Sequence, residues 1–90
     1  MILLGRIFNM QNDTTVLTGI TRSNFEFECP AIFNLFIDGS FIAEIAVKGI
    51  SIPKDHLVDD DFEKISVWIN GHLDKKQFEG KVDAHLILKR

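Results

Sequence analysis

Apolar and polar residues alternate along much of this chain with the period of a β-strand. Phe25-Glu26-Phe27-Glu28-Cys29 alternates strictly, and Val82-Asp83-Ala84-His85-Leu86-Ile87-Leu88 does so apart from Ile87. Side chains two apart on a strand share a face, so each run predicts a strand with one buried side. The stretch Ile65-Ser66-Val67-Trp68-Ile69 reads the same way, with Trp68 out of phase with its three aliphatic neighbours.

Turn chemistry arranges these runs. Asp38-Gly39 suits the positive φ at both central positions of a type I′ turn and lies between two largely apolar runs, 31–37 and 40–50. That pair predicts a hairpin in which Phe36 opposes Phe41, Ile32 opposes Ile45 and Leu35 opposes Ile42. Both of its faces are mostly apolar, which implies either a hairpin covered on two sides or a patch awaiting a partner. The polar turn Gln11-Asn12-Asp13-Thr14 joins 2–10 to 15–22 as a second hairpin. Asn70-Gly71, another hairpin pair, predicts a turn back from 65–69 toward the last strand at 82–88. The only helical signal is one turn at 53–63, where Val58, Phe62 and Ile65 fall at helical spacing.

Composition agrees with the pattern. Twelve Ile, five Val and eight Phe suit a pleated surface, while Ala appears four times. No linker, repeat or low-complexity tract interrupts the 90 residues, so they read as a single domain, 1–90. The expected fold is all-β, a small antiparallel sandwich or barrel of six to seven strands with one short helical turn.

Charge and cysteine narrow the class. The net charge is −3, and residues 54–64 carry all of that excess, with five acids against two bases. Such a balance disfavours nucleic acid as partner. The single cysteine, Cys29, cannot form an internal disulfide, so a reducing cytoplasm is the expected compartment. Neither a signal peptide nor an apolar span of membrane-crossing length stands in the sequence.

The acidic loop 55–63 and the histidines are the places where chemistry could gather. Asp59, Asp61 and Glu63 alternate like the opening ligands of an EF-hand, but position six would be Lys64 and position twelve Asn70. His72-x-Asp74 and Asp83-x-His85 mirror each other, so an antiparallel pairing of their strands could converge four ligands on a zinc-like ion. No serine stands in a nucleophile motif, Cys29 shares the face of Phe25 and Phe27, and the glycines form no phosphate cradle. The expectation is therefore a cytoplasmic, non-catalytic protein-interaction module without a cofactor, partner-binding or inhibitor-like, or self-associating as a homo-oligomer. Its contact residues would be Asp59, Asp60, Asp61 and Glu63, steering a basic partner, and Trp68 as anchor. The alternatives are a metal site at 55–63 or at His72, Asp74, Asp83 and His85, and a nucleic-acid binder with the strand order of an OB-fold.

Overall fold

The computed structural model describes residues 1–52, 61–81 and 83–89. Six strands among them, β1 (Ile2–Met10), β2 (Thr14–Arg22), β3 (Ala31–Ile37), β4 (Ser40–Ser51), β5 (Phe62–Asn70) and β6 (Ala84–Leu88), close into an antiparallel barrel in the order β1-β2-β5-β4-β3-β6. β3, β4 and β5 are successive neighbours, and β6 returns to the far side of β3, the order of a Greek key. The fold is all-β, and the sheet closes on itself so that every strand has a partner on each side. Four strands precede residue 53 and six are present among the described residues, so the five-stranded OB order does not hold.

The Asp38-Gly39 turn forms as its chemistry requires, with φ of 48° and 83° and Ile37 opposite Ser40. Phe36 does oppose Phe41, but a bulge then shifts the register so that Leu35 meets Ala43 and Ile32 meets Ala46, not Ile42 and Ile45. The extra residue has a physical purpose. A one-residue slip exchanges the two faces of a strand, and here it turns Ala43, Ile45 and Val47 inward while Glu44 and Lys48 go to solvent. Without it, Glu44 would enter the core.

Two expected pairings are replaced. Residues 25–29 form no ladder. They cross one end of the barrel as a plug, with Phe25, Phe27 and Cys29 packed on the core and Glu26 and Glu28 exposed. The Phe27 ring meets Phe33 edge-on at 4.9 Å and lies 5.3 Å from Phe25. Asn70-Gly71 does turn the chain, with Gly71 at φ 86°, but β5 and β6 are not neighbours. β2 and β4 already occupy both edges of β5, so β6 fills the gap between β1 and β3. The connection contains a short 3₁₀ turn, Lys75–Phe78, capped by Asp74, whose carboxylate accepts from Lys76 N at 2.9 Å. The turn expected at 53–63 lies outside the described residues up to 60, and Phe62 and Glu63 already belong to β5.

The interior is filled from every strand by Ile2, Leu17, Phe33, Leu35, Val47, Val67 and Leu86, all essentially inaccessible. Its ends are stitched by polar groups. The hydroxyl of buried Thr15 lies 2.7 Å from the Gly71 carbonyl and 2.8 Å from Asn9 Oδ1, while Asn9 Nδ2 donates to the Leu73 carbonyl. At the other end Thr21 donates to the Met1 carbonyl at 2.8 Å. Among the described residues no buried side-chain polar atom lacks a partner. The ring is unevenly closed, since β2 and β5 share nine residue pairs but β1 and β6 only two. No helix among the described residues is long and apolar enough to cross a membrane.

Candidate functional site

Barrel closure sends alternate side chains outward, and one sector of the outer wall is apolar. On β3 the inward residues are Phe33, Leu35 and Ile37, so Ile32, Asn34 and Phe36 face out. Phe36 is flanked on β4 by Phe41, with ring centroids 5.9 Å apart, and on β6 by His85, stacked at 5.5 Å with 13° between the planes. His85 is in turn opposite Leu3 of β1. The row Leu3, His85, Phe36 and Phe41 therefore crosses four strands, a width of about 14 Å at the usual strand spacing. The bulge adds Ile42, and β6 adds Ile87 two residues past His85. Phe41 remains 53% exposed, and Leu3, Ile32, Ile42 and Ile87 are exposed as well.

Charged groups rim this sector. Lys89 Nζ bonds Glu44 Oε1 at 2.5 Å across β3, and Asp83 Oδ1 lies 3.5 Å from His85 Nδ1. Asp83 is held in place because its backbone N–H donates to the Asp38 carboxylate at 2.9 Å, which ties β6 to the β3–β4 turn. An apolar centre with a polar rim is the usual anatomy of a protein contact surface.

The residues singled out from sequence do not gather at one place. Asp59 and Asp60 lie outside the described residues. Asp61 is exposed, and its carbonyl accepts from Ser23 N at 2.9 Å beside the plug. Glu63 is not part of an exposed acidic loop: it is 8% exposed, because β5 begins at Phe62 and Glu63 falls in phase with inward Ile65, Val67 and Ile69. Trp68 faces outward, as its phase predicts, at 38% exposure. It stands five residues from Glu63, about 16 Å along the strand, and its ring covers Gly49 on β4. Much of that ring is thus used within the barrel.

The four candidate ligands are also dispersed. His72 donates from Nε2 to the Met10 carbonyl at 2.6 Å at one end of β1, whereas His85 opposes Leu3 near the other end. Seven residues of strand separate those positions, roughly 20 Å. Asp74 is occupied as the cap of the 3₁₀ turn, and the mirrored register cannot form between strands that are not neighbours. Among the described residues no group of three or more His, Cys, Asp or Glu is placed to hold a metal ion. Cys29 is half-buried, and desolvation raises its thiol above the ordinary value, which opposes rather than promotes thiolate chemistry.

Two grooves flank the plug. One, about 580 Å³, is lined by Met1, Leu3, Ile20, Arg22, Phe25 and Phe62, with the Arg22 guanidinium 5.3 Å from the Phe62 ring centre. The other, about 470 Å³, is lined by Phe25, Phe27, Ile50, Ile52 and Ile65 together with Glu26 and Glu28. Sequence reasoning did not find these, because they depend on the plug crossing the barrel instead of joining the sheet. No family model, curated protein or solved structure matches the chain.

Proposed function

We propose that this small β-barrel is a non-catalytic protein-interaction module acting in a reducing cytoplasm, and that its main contact surface is the outer wall of β6, β3 and β4. The observation that carries the reading is the continuous outward-facing row of Leu3, His85, Phe36 and Phe41, exposed at Leu3 and Phe41 and half-buried between them, and widened by exposed Ile42 and Ile87. Side chains of this kind, rigid and apolar and surrounded by charged groups, supply the desolvated anchors of protein interfaces. The acidic segment that ends at Asp61 gives the molecule its net negative charge and would speed encounter with a basic partner, while the apolar wall holds it.

The test is affinity capture of the tagged protein from its source cells, paired with light scattering of the purified chain. Three proteins are compared: the parent, Phe41→Asp with Ile42→Asp, and Asp59, Asp60 and Asp61 all changed to Asn. The expected outcome is a near-stoichiometric complex, with another protein or with itself, that is abolished in the first variant and slowed in formation in the second. A complex that survives Phe41→Asp with Ile42→Asp, both variants remaining folded by circular dichroism, overturns the assignment of the surface. A parent that is monomeric and captures nothing overturns the function.

A further inference from the structure

The plug has a property that its burial pattern does not require. Phe25 N donates to the Arg22 carbonyl, and after that, among the described residues, the backbone of Glu26, Phe27 and Glu28 neither donates nor accepts a hydrogen bond. The alternation of this segment, Phe25 and Phe27 to the core and Glu26 and Glu28 to solvent, is that of an extended chain. The barrel wall has no free edge, but it carries beside its mouth a short strand-like segment whose amides and carbonyls are not hydrogen-bonded within the protein. An open extended backbone next to an apolar groove is the template used in recognition by strand addition.

From this we infer a second binding site, distinct from the outer wall of β6, β3 and β4: residues 26–28 accept an extended peptide from a partner protein as an added strand. The occupant is basic and alternating. On the added strand, residues directly opposite Glu26 and Glu28 share their face, where opposite charge stabilises a cross-strand pair and like charge opposes it. Residues of the other parity lie over the groove of Phe27, Ile50, Ile52 and Ile65, which takes small or branched apolar side chains. The smaller groove is the one used, because among the described residues no cation lines it, whereas Arg22 stands in the larger. Asp61, adjoining the plug through Ser23, adds negative charge at the same end of the barrel.

The probe is the pentapeptide acetyl-Lys-Val-Lys-Val-Lys-amide, labelled for fluorescence anisotropy, against the full chain. Saturable binding is expected, weakened about tenfold or more by Glu26→Lys with Glu28→Lys and reduced by added salt. Alternate amides within residues 26–28, those on the edge that the peptide joins, should gain protection from hydrogen exchange when the peptide is bound. Of two N-methylated peptides, one blocked at both valines and one at the three lysines, the one whose blocked amides lie on the edge facing residues 26–28 should bind far more weakly. Parent-like affinity for both N-methylated peptides, no gain in protection at any of residues 26–28, or equal affinity for the Glu-Val-Glu-Val-Glu analogue each overturns the inference, as does absence of binding at about 1 mM peptide. The Phe41→Asp, Ile42→Asp variant should bind the peptide like the parent, so failure of the outer wall as a contact surface and failure of this site are read separately.

Discussion

Gly49 and Trp68 offer the sharpest check on the packing of the outer wall. The two residues are directly paired between β4 and β5, and a Cβ built on Gly49 would lie 2.0 Å from Cζ2 of the indole and 2.4 Å from Cε2. Non-bonded carbons settle near 3.5–4.0 Å, so Gly49→Ala forces the ring off β4 by roughly 1.5–2 Å. Trp68 is 38% exposed. Of the roughly 250 Å² such a side chain offers, about 150 Å² is therefore covered, and lifting the ring uncovers on the order of half of it. At about 25 cal/mol per Å² that costs about 2 kcal/mol. The loss is partly offset by the roughly 0.5–1 kcal/mol that replacing a strand glycine by alanine contributes. Gly49→Ala should destabilise the barrel by about 1–1.5 kcal/mol in urea denaturation followed by circular dichroism. In a Trp68→Ala background, where nothing obstructs the new methyl, the same substitution should be neutral or stabilising. The double-mutant cycle should thus give a coupling of roughly 2 kcal/mol. Because Trp68 is the only tryptophan, its emission should also shift to the red in Gly49→Ala. A coupling below about 0.5 kcal/mol, the scatter of independent sites, would refute the contact and the ring position with it.

Gly19 should behave differently, because the atom its Cβ would meet is the Leu3 carbonyl oxygen, at 2.2 Å, which is backbone and cannot swing away. Gly19→Ala should cost more than about 2 kcal/mol by the same assay, and truncating Leu3 to Ala should not restore it. Phe33→Ala, at the fully buried centre of the ring cluster, should cost about 3–5 kcal/mol. That is a large share of the roughly 5–13 kcal/mol expected for a domain of this length, and an unchanged urea midpoint would contradict the assigned core. Gly39→Ala, at φ 83°, should cost about 1–2 kcal/mol by forcing an L-residue into the left-handed region, and no loss would contradict the type I′ turn. For Cys29, a raised thiol pKa means less thiolate at any pH below it. Alkylation by iodoacetamide at pH 8 should therefore be slower than for a free cysteine, with the rate–pH midpoint displaced upward from the ordinary 9.0; a downward displacement would contradict the desolvated site.

What could be read from the sequence was what local chemistry decides alone. The Asp38-Gly39 turn is specified by two residues that tolerate positive φ, and the inward parity of Ile65, Val67 and Ile69 by their own alternation. The bulge in β4 was not legible, because Phe41, Ile42 and Ala43 are all apolar and no polar residue marks where the register slips. The pairing of β6 was not legible either. Asn70-Gly71 fixes that the chain turns, but which strand receives the next one depends on which edges are still open. Phe25–Glu26–Phe27–Glu28 shows the same limit, since alternation reports two unlike faces and not the presence of a neighbour to bond. The outer wall was half visible: an apolar run of 31–50 on both faces implied a patch, but its centre at Phe36, Phe41 and His85 needed β6 to arrive beside β3.

The uneven closure of the ring bears on how the chain leaves the ribosome. Of the six strands β6 is synthesised after the other five, yet its place is between β1 and β3, where it shares two pairs with β1 and five with β3. β1 with β2, and β3 with β4, can pair as soon as each hairpin emerges. From the completion of β5 at Asn70 to the end of β6 at Leu88 a further eighteen residues must be added, about 1–4 s at ordinary rates of elongation. During that interval β1 and β3 are bare edges on a nascent chain whose inner and outer apolar surfaces are both open to solvent. Premature joining of neighbouring nascent chains is set against the arrival of a five-residue strand, so a slow codon placed within those eighteen residues would prolong the one stage at which this otherwise edgeless protein can pair with the wrong chain.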